Sequence, residues 1–419
     1  MLELPAIILV CVTIFGYLNY RFLRLPLTVG LVLIALIFGV GGLAADHLFT
    51  GLGVSERIND LLNEIDFNKT LMHGMLSFLL FAGALHVDLN GLMKAKLHVS
   101  LLATAGVLIS TFINGLCFHF VTGLFGFEID FIYCLIFGVI VSPTDPVAVL
   151  ALLKRLKVPK QLEAKIGGES LFNDGVAVVV FTVLTTIAFG ETGEAGEMST
   201  GANEILGLFV RDAFGGALLG MLAGYATFIL MRKIDDYVIE VIATLALVTG
   251  AYSLAIHLHI SGPIAMVVAG VFIGNTGKNL AMSEKTKAHV TDFWHLVDEI
   301  LNAALFVLIG FEVIVLSSQF NVWIISCIAV VVAVVARWIA VSIPLNLLSA
   351  IVKKERGEIT ILTWAGLKGG ISIALALSLP DLEEKAIIVT AAYAVVVFSI
   401  LIQGLTIEKL ISHYHGRDS

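Results

Sequence analysis

Asp145, Glu169, Asp174, Glu312, Arg337 and Lys368 lie inside or beside long apolar stretches of this 419-residue chain. An ionisable group in hydrocarbon costs about 2.5–3.5 kcal/mol on insertion scales, so pairing or chemistry has to account for it. In Gly167-Gly-Glu-Ser-Leu-Phe-Asn-Asp-Gly175, helical spacing aligns Glu169 with Asn173 and Ser170 with Asp174, two polar pairs on adjoining strips of one side. Ser170, Asn173 and Asp174 offer hard oxygens, which suit a small alkali cation better than a transition metal. A carboxylate taken out of water is costly as a bare anion, so a proton and a cation compete to neutralise it. One site occupied by either is what exchange of a cation against a proton requires.

The stretch Ser142-Pro-Thr-Asp-Pro146 sets two prolines around Thr144 and Asp145. They remove two amide donors and clash with the preceding turn, which breaks a helix. Unwound backbone at membrane depth is tolerated where it lines a cavity, and its freed carbonyls can ligate a cation. Arg337, deep in an apolar run, needs an anion. Glu169 is the expected partner in a structural ion pair, because Asp174 held by a guanidinium could not serve a carried ion. Lys368 stands among the glycines of Trp364-Ala-Gly-Leu-Lys-Gly-Gly370, which weaken a helix. A second broken helix there, facing the first, would let Asp145 and Lys368 neutralise opposing helix ends. The alternative is a lysine reaching out to water near the membrane surface. Glu312 carries no assigned role.

The elements that must hold these residues are apolar helices. The chain is 58% hydrophobic and 14% charged, with a mean hydropathy of +0.99, more apolar sequence than a soluble interior can hold. About thirteen apolar segments can be read, near 4–20, 27–45, 71–87, 97–125, 132–153, 166–190, 205–231, 238–257, 261–275, 299–316, 322–351, 359–380 and 386–411. Lys and Arg gather in alternate connections, among them Lys94, Lys96, Lys154, Lys160, Lys165, Lys285, Lys287 and Lys353, while the opposite set holds only Arg57, Lys69, Arg211 and Lys385. The positive-inside rule then puts the N-terminus outside and the C-terminus in the cytoplasm. The first segment follows Glu3 and precedes Arg21 and Arg24, the reverse of a signal peptide, so it reads as a retained helix. Cys11, Cys117, Cys134 and Cys327 stand singly, which argues against a disulfide framework or a zinc site. The net charge of −8 describes loops and points to no nucleic-acid partner.

Together, Ser142-Pro-Thr-Asp-Pro146 and Gly168-Glu-Ser-Leu-Phe-Asn-Asp-Gly175 resemble the NhaP/NHE branch of the sodium/hydrogen exchanger family. Leu79-Leu-Phe-Ala-Gly-Ala-Leu-His86, Leu301-Asn-Ala-Ala-Leu-Phe-Val-Leu-Ile-Gly-Phe-Glu312, the Arg337 segment and Trp364–Gly370 match in order along nearly the whole chain. The resemblance implies an all-α polytopic membrane protein of about thirteen spans, with the inverted-repeat NhaA-type antiporter fold and two crossing discontinuous helices. It implies a homodimer, with core helices near 71–190 and 299–411 and dimerisation helices near 4–45 and 205–275. By the same match Asp174 is the cation- and proton-carrying carboxylate, with Asn173, Ser170, Thr144 and Asp145 around it. Asp174, Ser170 and Thr144 are then the Na⁺ ligands, and Glu169–Arg337 is the structural pair. Asn rather than Asp at position 173 implies electroneutral exchange of one cation for one proton.

Two positions depart from the family pattern: Lys368 replaces the usual Arg, losing bidentate geometry, and Ala82 stands where some relatives have Glu. Both bear on the choice among Na⁺, Li⁺ and K⁺. The expectation is a secondary transporter of the bacterial inner membrane, without enzymatic activity or cofactor, whose partners are monovalent cations, protons and lipid. A K⁺/H⁺ antiporter of the same fold and a passive cation channel are the alternatives. A carboxylate-dyad hydrolase lacks any accompanying Gly-x-Ser-x-Gly or His-Glu-x-x-His motif.

Overall fold

The computed structural model describes residues 3–48, 74–145, 149–150, 153, 158, 160–189, 202–316, 319–349, 355–380 and 382–415. Among these every regular element is helical. In chain order they are α1 (Glu3–Leu18), α2 (Leu27–Leu48), α3 (Leu76–Leu85), α4 (Leu89–Leu101), α5 (Val107–Leu124), α6 (Phe131–Ile140), α7 (Lys160–Phe189) and α8 (Ala202–Met231). There follow α9 (Tyr237–His257), α10 (Gly262–Phe272), α11 (Glu284–Phe311), α12 (Phe320–Leu348), α13 (Glu358–Trp364), α14 (Gly370–Leu377), α15 (Lys385–Phe398) and α16 (Gly404–His415). A π-helical turn, Leu102–Gly106, joins α4 to α5, and another, Ser399–Gln403, joins α15 to α16. Among the described residues, eight helical stretches are long and apolar enough to cross a membrane by length and composition, and α3 and α6 are shorter apolar helices.

Each apolar segment read from the sequence contains described helix, but the ends differ where charge hides helix from a hydropathy reading. The stretch expected at 299–316 belongs to a helix that starts at Glu284, capped by Ser283 Oγ accepting from Thr286 N. Its first half is charged and half-exposed, so apolarity marks only the second half. Likewise α7 begins at Lys160, and Lys165, counted above with the loop charges, is a buried helical residue. The acidic connection around Glu56–Asp66, the basic run Lys154–Lys157 and Pro146 lie outside the described residues.

Three of the apolar clusters among the described residues tie most of the helices together. One joins α5, α6, α7, α12, α14 and α15 through residues such as Phe118, Phe137, Val180, Ile325 and Ile388. A second joins α3 to α8, α9, α10 and α11 around Phe81, Met266 and Trp294, whose Nε1 donates to Thr244 Oγ1 (2.9 Å) and ties α11 to α9. A third seats α1 and α2 against α11, α14 and α15. Large apolar side chains, including Phe120, Leu124, Phe214, Leu218, Phe320 and Leu347, remain exposed on the outer faces. Such a surface suits hydrocarbon and not water.

Candidate ion-binding site

The site is built where two helices break against each other. The first stops at Ile140; Val141 N still donates to Phe137 O and Ser142 N to Val139 O (both 3.2 Å), and the helix is not resumed through Asp145, where Pro143 has no amide hydrogen to offer. The second stops at Trp364 and resumes at Gly370, leaving Ala365–Gly369 unwound. Asp145 N donates to Leu367 O (2.8 Å), so each break satisfies backbone groups of the other. Lys368 is 4% exposed and does not reach water. Its Nζ donates to Ser142 O (3.0 Å) beside the C-terminal end of α6, while its own amide donates to Ser399 Oγ (2.9 Å) on the adjoining π-turn. Asp145 packs on Gly369, at the N-terminal end of α14. Each charge thereby faces the helix end of opposite sign. Ser399 was not legible as a site residue, because its hydroxyl is presented by a local π-turn in a uniformly apolar run.

The breaks can approach this closely because of glycine. A Cβ on Gly369 would lie 2.4 Å from Asp145 Oδ2, and one on Gly366 would lie 2.6 Å from Arg337 Nε. Gly369→Ala is therefore expected to push Asp145 away and open the Asp145–Leu367 bond. Misplacing a functional group by about 1 Å costs on the order of a hundredfold in comparable sites, so exchange by vesicles carrying the variant should fall by that order. An unchanged rate would mean the contact is not needed.

α7 passes beside the first break and supplies the remaining polar groups. Thr144 is the hub: its Oγ1 accepts from Asn173 Nδ2 (2.8 Å) and shares a hydrogen bond with Ser170 Oγ (2.9 Å). Asn173 Oδ1 accepts in turn from Thr144 N (3.4 Å). Both ends of the Asn173 amide are thus engaged with Thr144. Asp174 is 8% exposed, and no hydrogen bond among the described residues reaches its carboxylate. Its charge is opposed by Asp145 and attracted by Lys368.

Glu169, 1% exposed, points the other way from α7 and receives Arg337 in bidentate fashion, through Nη1 to Oε1 and through Nη2 to Oε2 (2.9 Å). Arg337 Nη2 also donates to Leu362 O (3.0 Å). One turn earlier, Lys165 Nζ lies 2.5 Å from Glu358 Oε1, with both side chains buried, and Glu358 Oε2 accepts from Glu355 N (2.9 Å). Two ion pairs of opposite polarity therefore leave the Lys165/Glu169 strip of α7, one to Arg337 of α12, which in turn bonds Leu362 O of α13, and one to Glu358 of α13. The second pair escaped the sequence reading because both its members stand next to charged loops.

A cavity of about 390 Å³ opens onto Asp174. It is lined by Thr144 and Asp145 of the first break, by Gly167, Leu171 and Asp174 of α7, by Leu79, Gly83 and His86 of α3 and its C-terminal end, and by His295, Asp298, Glu299 and Asn302 of α11. The α11 carboxylates were not singled out in sequence either, for α11 was read as starting at the apolar half. Ala82, by contrast, is fully buried in the α3 packing. On the far side of Asp174, Gly175 abuts Ile264 of α10, where a Cβ would stand 3.2 Å from Cγ1.

The profile of a family described as "Sodium/hydrogen exchanger, transmembrane" matches residues 7–413. The chain belongs to that family. Among the exchanger's relatives, the Na(+)/H(+) antiporter NhaP of Pseudomonas aeruginosa is 47% identical, over 99% of this chain and 97% of its own length. The Na(+)/H(+) antiporter NhaH of Halobacillus dabanensis is 33% identical over 93% of this chain and 92% of its own. The solved structure of the sodium proton antiporter MjNhaP1 from Methanocaldococcus jannaschii at pH 8 matches the exchanger's fold with a TM-score of 0.75, covering 98% of each chain at 18% identity.

Proposed function

We propose that this exchanger carries Na⁺ or Li⁺ against H⁺, one for one, by alternating access, with Asp174 as the group that binds either ion. The observation behind this reading is a buried carboxylate that no hydrogen bond reaches among the described residues, facing a cavity beside the Thr144 and Ser170 oxygens. Na⁺ is the substrate; Thr144, Ser170 and Asp174 supply its oxygens, Asn173 holds Thr144 in place, and Asp145 and Lys368 balance the broken helix ends. Moving Asp174 through the barrier is affordable only when a proton or a cation neutralises it. That requirement couples the two fluxes and blocks leak.

In this reading the chain crosses the bacterial inner membrane thirteen times, as inverted repeats whose fifth and twelfth segments are the broken ones, with its C-terminus in the cytoplasm. The cavity runs from Asp174 toward the N-terminal end of α7, past His86 and His295, on the side of Lys94, Lys96, Lys285 and Lys287. By the positive-inside rule that side is cytoplasmic, so the conformation is cytoplasm-facing, with the Gly175–Ile264 contact closing the outer path. We place α4–α7 and α12–α16 in the moving core. We place α1, α2 and α8–α10 in the scaffold of a homodimer, and add α3 and α11 to it because they share the Trp294 cluster.

The test is dissipation of a preformed pH gradient in vesicles with the purified protein, adding Na⁺, Li⁺ and K⁺ separately while monitoring membrane potential. Collapse by Na⁺ or Li⁺ with no change in potential is expected. Response to K⁺ alone would reassign the cargo, a potential change would overturn the one-for-one stoichiometry, and silence toward all three would overturn exchange.

A further inference from the structure

We propose that Asp298, on α11, is a cation-staging residue that receives the ion from the cytoplasmic side and hands it to Asp174. The inference rests on the exchange reading above. Asp298 lines the same cavity as Asp174 but from a different helix, α11 rather than α7. Its Oδ1 accepts from Asn302 Nδ2 (3.0 Å), and no hydrogen bond among the described residues reaches its Oδ2. Asn302 spends both amide-nitrogen contacts on Asp298, one on the backbone oxygen and one on Oδ1 (both 3.0 Å), and lines the cavity itself. The pair therefore presents oxygens held in place by a local i,i+4 bond rather than a freely rotating surface acid.

Leu79, Leu80, Leu150, Leu171, Leu305 and Ile371 put apolar stretches into the lining, and an alkali cation moving along them sheds water that apolar carbon does not replace. Oxygens at Asp298 and Asn302 offset that loss midway. The carboxylates of Asp145 and Asp298 also repel one another across the cavity, and a cation between them relieves the repulsion. The buried carboxylate of Asp174, which no hydrogen bond reaches among the described residues, gives the ion a destination.

Sidedness follows from where Asp298 is mounted. α11 is tied to α9 by the Trp294–Thr244 bond and packs in the scaffold cluster, which α7 enters only through Leu171 and Phe172, while Ala177, Val178, Val180 and Phe181 of α7 pack with α5, α6 and α12. Asp298 stays behind when Asp174 turns outward, so it serves entry from one face only. Of the other titratable groups lining the cavity, His295 stands about one turn before Asp298 on α11, Glu299 follows Asp298 directly, His86 stands at the C-terminal end of α3, and Asp145 belongs to the first break.

The experiment is Na⁺-driven exchange in oriented proteoliposomes, with Na⁺ supplied to either face, for the unsubstituted protein, Asp298→Asn, Asp298→Glu and Asn302→Ala. Losing one charged ligand on the path is expected to raise the cytoplasmic-face KM of Asp298→Asn about tenfold, with the outer-face KM and the maximal rate held within about twofold. Asp298→Glu should recover most of the affinity, and Asn302→Ala should show a smaller shift of the same kind. A damaged fold would lower the maximal rate on both faces together, and that result in both substitutions at these positions, or an unchanged cytoplasmic-face KM, would overturn the proposal. Exchange by the unsubstituted protein is the internal control: its absence would instead overturn the function on which staging depends.

Discussion

Asp174→Asn is expected to insert and fold like the unsubstituted protein and to show no exchange above background. Its carboxylate receives no hydrogen bond among the described residues, so an amide of the same shape breaks no contact, and the removal of a buried carboxylate takes away a desolvation cost. Transport loses everything. The amide cannot take up a proton, and a cation between Thr144 and Ser170 is left without its counter-charge. Truncating one partner of a buried charge pair costs about 2–5 kcal/mol, a loss in site occupancy of at least an order of magnitude before the missing proton leg is considered. Gel filtration and thermal melting report the fold, and pH-gradient dissipation reports the function. Sustained Na⁺-driven proton movement by the variant would show that another group is the carrier.

Arg337→Met should be the most destabilising single substitution in the core. It strands Glu169 in a position 1% exposed, after removing both guanidinium bonds to it and the bond to Leu362 O. Breaking a buried pair on one side costs about 3–5 kcal/mol, whereas replacing both members by neutral groups is often close to neutral. The doubly substituted Glu169→Gln, Arg337→Met protein is accordingly expected to melt nearer the unsubstituted protein than Arg337→Met alone does. Melting of a membrane protein is commonly irreversible, so the three are compared at one scan rate. Equal melting of Arg337→Met and the unsubstituted protein would mean that the pair does not hold α7, α12 and α13 together. The Lys165–Glu358 pair, one turn away on the same strip, limits the damage to a local loosening of α13.

Much of the site was legible because intramembrane charge is conspicuous. Asp174, Arg337 and Lys368 stood out by their cost in an apolar segment, and the Pro143 and glycine punctuation located both helix breaks. The pairing of Glu169 with Arg337 followed from elimination among few candidates, although 168 positions separate them. What was missed lay at the margins between apolar and charged sequence. Lys165 and Glu358 look like loop charges until α7 and α13 bring them together, and Asp298 looks like a helix-end acid until α11 is seen to extend well past it in the N-terminal direction.

By itself the sequence determined that this protein is a bundle of apolar helices with a few expensive charges. Composition and helical periodicity act within one segment, and the hydrocarbon penalty falls on each residue whatever its neighbours are. Only the tertiary structure decided that Thr144 is the hub of the polar cluster, that the two breaks bond to each other through Asp145 N and Leu367 O, and that α11 brings Asp298 to the cavity that Asp174 lines. Those facts depend on distances between residues remote in the chain, and they are set by how closely helices pack at Gly366 and Gly369, which no local pattern encodes.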